Sequence, residues 1–458
     1  MRGARILIVA VILAPISYAA AKSQTNMAPP PSTAEMPMAH QDHPASVPSD
    51  DAQHGPVYSL ETLEAEALQR NPTLAQANAQ LHSAEGRKQQ AGLWPNPTVG
   101  YFGDEISGGT GVNGGRQGGY IEQTIILGRK LYLAQQVAGS NVRLATLEKE
   151  EQRYRVQNAV RAAYIETLAA QEMLALEKSR AELSGKMLDT IQGLQNTGAR
   201  DASEVLMAQI EFERANLAVE VRQAELRQQW EQLRSLVGDP SLPAGTLEGQ
   251  LDAELPQLDT QQLIDALVSE SPAVKMARES VRQAQTSVLR AQRAAVPNLQ
   301  LRAGLEQNFE TNDLTGKPYG LQGVAEARVE LPIFNHNQGN VTVAKAELES
   351  SQAETQRLEM ELRRGAAAVV EQYQTAQFTV ERYRRTILPQ TEKLYQMQQG
   401  AWQRMAVSYP EVLMAQQSLF STQAEYIRAL QNLRTNAVAL SGFLLTDGTI
   451  APGMAKSQ

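Results

Sequence analysis

Glu204-Val205-Leu206-Met207-Ala208-Gln209 and Glu411-Val412-Leu413-Met414-Ala415-Gln416 spell one six-residue word twice. Each copy opens a helix-forming stretch just after a short irregular turn, 197–203 in the first case and 405–410 in the second, and another long helical stretch precedes each turn. These residue types are common helix formers, so the word alone allows coincidence. Its matching flanks point instead to a duplicated helix-turn-helix unit, and both copies sit at a hairpin tip.

The helices leading to the tips are longer than a globular domain needs. Residues 129–196 contain no proline and at ~1.5 Å per residue predict a rod of about 100 Å. Val156, Val160, Ala163, Tyr164 and Leu168 form an apolar stripe at three-and-four spacing, and Val219, Leu226, Trp230, Leu233 and Val237 form a second on the returning helix. The two stripes predict an antiparallel coiled pair. Gly238-Asp239-Pro240 ends it. The second half offers a matching rod from Gly339 to Gly400, in which Pro389 predicts a kink.

Composition agrees with helix-to-helix seams. Hydrophobic residues make up 42% of the 458 but aromatics only 5%, too few for a bulky globular centre. The net charge of −8, with 42 basic residues interleaved among 50 acidic ones, excludes nucleic acid as a partner, because a polyanion needs clustered Lys and Arg. Cysteine is absent. That excludes disulfides, thiol catalysis and thiolate metal sites, and it removes the residue an acyl anchor would use.

Each half also carries a strand pair. In the first, a helix from Leu60 to Gly92 ends at Trp94-Pro95-Asn96-Pro97, and extended stretches follow at Thr98 to Ile106 and Gly119 to Leu127. Their connection holds Gly109-Thr110-Gly111-Val112-Asn113-Gly114, formally GxGxxG, but a dinucleotide loop must open a helix and here a strand follows. In the second half, a helix from Leu263 to Ala295 leads to Val296-Pro297-Asn298. Leu299, Leu301, Ala303, Leu305 and Phe309 then alternate with polar or glycine positions, and Ala325, Ala327, Val329, Leu331 and Ile333 do the same. About ten residues of period two suits a membrane-crossing strand with one apolar and one wet face. A soluble sandwich shows the same alternation; the long helices and the amino terminus favour the membrane.

At that terminus, Arg2 and Arg5 precede an apolar run from Ile6 to Ile16 that ends at Ala19-Ala20-Ala21, the pattern of a cleavable secretory signal. No stretch is long enough for a transmembrane helix. Residues 22–58 predict a disordered lead-in rich in Pro, Ser and Ala. His40, His43 and His54 stand there near Met36 and Met38. Such residues fit either a plain linker or a set of imidazole and thioether ligands for a soft metal ion.

The organisation expected is thus a signal at 1–21, the lead-in at 22–58, a first repeat at 59–238, a link at 239–260, a second repeat at 261–445 and a tail at 446–458. It is a mixed, mainly α chain with internally duplicated long coiled-coil helices and four transmembrane β-strands. Four strands cannot close a barrel, since lipid leaves no partner for an open sheet edge. Identical copies must complete it, three giving twelve strands or two giving eight.

With Asn71-Pro72 and Ser271-Pro272 in the first helices, the turn Thr197-Gly198-Ala199-Arg200-Asp201-Ala202-Ser203 before Glu-Val-Leu, and the duplicated helix-strand-strand-helix-helix order, the chain from about Ser59 to Leu445 resembles the TolC-type outer-membrane efflux factors. The likeness is to the cation (heavy-metal) efflux branch that serves resistance-nodulation-division pumps. It implies a homotrimer with a twelve-stranded barrel in outer-membrane lipid, continued by a periplasmic helical barrel.

It also implies that Gly198, Ala199, Arg200, Met405, Ala406 and Val407 dock a periplasmic adaptor. By the same likeness Glu411 faces the pore near its closed end, where three carboxylates would concentrate cations. Met414 lies one turn on, and Trp402 and Val407 stand where some relatives latch the pore. Helix packing is the alternative for Met414 and Trp402, and a helix-start acid is the alternative for Glu411. The function implied is a passive exit duct for copper, silver, cobalt, zinc or cadmium, with no cofactor and no reaction. Multidrug efflux and type I protein secretion are alternatives. A periplasmic adaptor would ordinarily show one hairpin where this chain has two. His82 and His336 are too separated to suggest a catalytic dyad.

Overall fold

The computed structural model describes residues 55–106, 115–196, 201–312 and 314–452. The signal, most of the lead-in with Met36, Met38, His40, His43 and His54, and the first tip's Gly198, Ala199 and Arg200 lie outside them.

A short strand β1 (Val57–Tyr58) leads into α1 (Leu60–Arg70) and α2 (Pro72–Ala91). The single helix expected here is two, because a residue before proline is pushed out of the helical region. Asn71 is extended, its carboxamide oxygen caps the new helix at Thr73 N (2.9 Å), and its Nδ2 donates to Leu236 O at 2.8 Å. The second half repeats the correction. After β2 (Thr98–Asp104), β3 (Arg116–Ile125), α3 (Lys130–Asn196), α4 (Ala202–Val237) and β4 (Thr246–Leu247), the helix expected from Leu263 divides at Ser271-Pro272 into α5 (Thr260–Glu270) and α6 (Pro272–Arg293). Ser271 Oγ accepts from Val274 N. The first strand pair is shifted from its expected bounds: β2 ends at Asp104 and β3 begins at Arg116.

β5 (Leu299–Thr311) and β6 (Pro318–Val329) complete an antiparallel sheet of order β2-β3-β5-β6. The register places Val99, Ile121, Ala303 and Ala325 in one row and Tyr101, Gly119, Leu305 and Gly323 in another. Both rows lie on one apolar, exposed face. The opposite face carries the row Glu122, Arg302, Glu326. Arg302 stacks its guanidinium 3.7 Å above the Tyr120 ring and 3.9 Å from Glu326. In the adjoining row Tyr120 lies across Gly100, where an added Cβ would sit 2.4 Å from the ring and the ring would have to shift.

The last elements are α7 (Gln338–Arg382), a π-turn at Tyr383–Ile387, α8 (Leu388–Gln403) and α9 (Tyr409–Ser441). The break expected at Pro389 occurs in the turn before it. Proline lacks an N–H and its ring crowds the carbonyl four residues back, and the ladder absorbs this as a π-turn. Near the tips the helices lie side by side as α4, α3, α9 and then α8. The main core gathers Val156, Val160, Leu168, Trp230, Leu233, Leu430 and Leu433. The segment 239–259, with β1 and β4 paired in parallel, straps this core: Tyr373 Oη donates to Pro256 O (2.7 Å), Arg434 Nε donates to Leu251 O (2.7 Å) and Leu251 N donates to Glu172 Oε1 (2.8 Å).

Candidate channel wall and aperture

The second tip is built by a helix stop that normally uses glycine. Met405 N donates to Trp402 O (2.8 Å) and Ala406 N donates to Ala401 O (2.9 Å), with Met405 left-handed at φ 58°. This pair of bonds closes α8 in a Schellman arrangement. Ser408 then starts α9 with a capping box: its side chain receives the backbone N–H of Glu411, and its own N–H donates to Glu411 Oε2 at 3.2 Å. The carboxylate of Glu411 therefore fixes the start of its own helix, as the helix-start alternative anticipates, while it stays exposed to solvent.

Met414 is 71% exposed, so packing within the chain does not account for it. Trp402 is different. It is 6% exposed and packs with Met187, Ile191, Tyr395 and Tyr409. This is the helix-packing alternative for Trp402: α8 turns the ring onto the neighbouring hairpin, into the tip core. Met405 and Ala406 are exposed and Val407 is half-buried against the same core.

Sequence reasoning missed the group that joins the hairpins. Glu211 is 2% exposed on α4, at a stripe position between Ala208 and Ala215. Its Oε1 accepts from Arg180 Nη2 (2.6 Å) and its Oε2 from Gln417 Nε2 (3.1 Å). Nearby, Tyr409 N donates to Glu204 Oε1 at 3.5 Å. Burial first, then the carboxylates of Glu211 and Glu204, push the Tyr409 phenol up to about 12. The available signal was an acid at the period of a buried stripe. Among the described residues no group of three or more His, Cys, Asp or Glu is arranged to hold a metal ion. No described helix is long and apolar enough to cross a membrane.

An apolar outer face on an open sheet, two free sheet edges and hairpins running away from one end make a segment of tube wall. The chain is similar to the cobalt-zinc-cadmium resistance protein CzcC of Cupriavidus metallidurans, with 25% identity over 378 residues that span 82% of this chain and 87% of that protein. Among solved structures it is similar to CusC, at TM-score 0.70 and 19% identity with 84% of this chain and 91% of that chain covered. It is also similar to the outer membrane protein VceC of Vibrio cholerae, at TM-score 0.67 and 19% identity with 85% and 96% covered. The profile of the outer membrane efflux protein family matches residues 63–239 and 263–444, and the chain belongs to that family: it is an outer-membrane efflux channel that reaches into the periplasm.

Proposed function

We propose that three copies close their four-stranded sheets into one twelve-stranded barrel, continued by a helical tube, and that the assembly is a passive exit for heavy-metal cations. It carries out no reaction itself. An inner-membrane resistance-nodulation-division pump supplies the energy, and a periplasmic adaptor docks on the tips at Met405, Ala406 and Val407 and at Gly198, Ala199 and Arg200. The segments 1–21 as signal and 59–238 and 261–445 as repeats belong to the same reading.

The observation that carries the substrate class is the likeness to CzcC along most of both chains. Exposed Glu411 and Met414, one helical turn apart on α9, support an aperture where a threefold axis would gather three carboxylates and three thioethers. Such rings favour cations over anions and suit soft as well as borderline metals.

Deleting the protein and growing cells on cobalt, zinc, cadmium, copper and dyes tests this directly. Sensitivity to metals is expected; sensitivity to dyes alone overturns the metal reading and favours drug efflux. In planar bilayers, Glu411→Gln should lower the cation-to-anion permeability ratio. An unchanged ratio removes Glu411 from the aperture and leaves it as a cap.

A further inference from the structure

Among the described residues Met173, Met187 and Met276 are buried, as befits a flexible apolar side chain that fills core gaps. The other methionines are exposed, and all but Met360 flank the tips: Met207 on α4, Met397 on α8, Met405 in the turn and Met414 on α9. Met207 is 42% exposed and Met397 63%.

Hydrogen bonds fix the levels at which they stand. Tyr409 N to Glu204 Oε1 (3.5 Å) and Gln417 Nε2 to Glu211 Oε2 (3.1 Å) tie α4 to α9 in parallel at offsets of 205 and 206 residues. Met207 is therefore level with about Leu413, next to Met414. On the other flank α8 runs back along α9 from the turn, and farther up Tyr383 Oη donates to Glu425 Oε2 at 2.7 Å. This antiparallel pairing sets Met397 within one helical turn, about 5 Å, of Met414 along the axis.

α4 and α8 end the row of tip helices and are its two free edges. Met207 borders the bare Leu206 and Ile210 on α4. Met397 stands near Leu394 on the solvent side of α8, away from buried Tyr395 and Trp402. When copies close the tube, the α8 edge of one meets the α4 edge of the next, and the two thioethers converge at one level in every seam. Apolar sealing does not call for sulfur, because leucine and isoleucine already supply it on both edges. A thioether is a soft, neutral donor that selects Cu(I), and equally soft Ag(I), over Zn(II) and Co(II), which suit imidazole and carboxylate. The chain has no cysteine to compete.

We propose that Met207 and Met397 of the partner subunit form a bridging thioether site for soft monovalent cations, Cu(I) or Ag(I), in each seam just inside the tips. The site rests on the closed trimer proposed above and narrows its cargo to soft monovalent ions. Each bound ion ties two subunits together, so binding holds the seam closed.

Full-length protein in detergent is dialysed against Cu(I), kept reduced with ascorbate, and separately against Zn(II). Leucine is close to methionine in volume, so Met207→Leu and Met397→Leu each remove a sulfur and keep the seam apolar. Met36 and Met38 are unchanged in both, so differences report the seam. Each variant should lose the same one equivalent of Cu(I) per chain, the double variant should lose no more, and Zn(II) uptake should be unchanged. Cu(I) should also raise the temperature at which the wild-type trimer dissociates on a native gel, because a ligand held only by the assembly stabilises it; neither variant should respond. In variants that remain trimeric, Cu(I) uptake equal to wild type overturns the site and leaves the seam sealed by apolar contact. Loss on substituting only one of the two methionines overturns the bridge, and an equal loss of Zn(II) overturns the soft class. Where leucine breaks the trimer, the wild-type dissociation temperature decides, and no rise with Cu(I) overturns the site. A wild-type protein that is not a trimer sinks the closed-tube reading itself.

Discussion

The same six-residue word opens α4 and α9, and the two copies have different surroundings. In α9, Val412 and Gln416 are buried; their counterparts in α4, Val205 and Gln209, are half-buried and exposed. The cause is position in the wall. Near the tips α9 lies between α3 and α8, whereas α4 packs mainly on α3, reaches α9 through Glu211 and Glu204, and shows Leu206, Ile210, Leu217 and Val221 to solvent. Duplication supplied the helix twice, and its neighbours decided what each copy buries. In the proposed trimer, the apolar stripe left bare on the edge copy is where an adjoining protomer would complete the tube.

The largest expected effect tests that contrast. Leu430→Ala, at a position 1% exposed in the core, should cost about 3 kcal/mol from lost transfer and the cavity left behind. Leu217→Ala, at a position 61% exposed, should cost under about 0.5 kcal/mol in the isolated chain and act on assembly instead. Denaturant unfolding of detergent-solubilised protein, read beside native-gel mobility, measures both. Equal unfolding costs would mean that α4 is as interior as α9 and break the comparison.

Next comes the bond between the copies. Glu211→Ala leaves Arg180 with Glu177 alone at 3.4 Å and strands the Gln417 amide. Removing one partner of a buried pair costs about 3–5 kcal/mol; with Glu177 remaining and Arg180 partly exposed, about 2–3 kcal/mol is expected. The loss should concentrate at the tips, seen as faster hydrogen exchange in α9 near Gln417 while exchange at Leu433 is unchanged. Uniform loosening would show that the pair supports the whole wall.

How much of this was legible follows from distance along the chain. The strand alternation and the hairpin stripes are local, so period alone located them. The breaks at Asn71 and Ser271 were also written locally, as X-Pro steps that a continuous helical period obscures. Trp402 and Glu211 were not legible, because their partners Met187 and Ile191, and Arg180 and Gln417, lie on other helices. Only the packed hairpins bring these groups together.

A smaller effect separates the copies by pH. Tyr409 occupies the position in the second copy that Ala202 holds in the first, so only α9 has a phenol there. Its folded pKa stands at about 12 against an ordinary 10.0, through burial and the nearby Glu211 and Glu204 carboxylates. A group raised in the folded state contributes stability that is intact below pH 10 and is lost as pH climbs through 12. Base titration followed by circular dichroism should show tip destabilisation in that window, and Tyr409→Phe should reduce it. An identical titration in the variant would assign the loss to other groups.

The smallest effect concerns the turns themselves. The first tip carries Gly198 and the second carries Met405, which the structure holds at φ 58°. A side chain in that region costs about 1–2 kcal/mol, and the freedom glycine adds to the unfolded chain returns about 0.5–1 kcal/mol of this. Met405→Gly should therefore raise the stability of the tip by roughly 0.5 kcal/mol, visible as a small upward shift of the thermal midpoint. A position that keeps an unfavourable residue is a candidate for function, so the same variant should weaken binding to the purified adaptor. A stabilised tip with full adaptor affinity would make Met405 a packing accident and leave docking to Ala406 and Val407. A destabilised tip would mean that the exposed thioether holds the turn, and that the two tips differ in construction as well as in sequence.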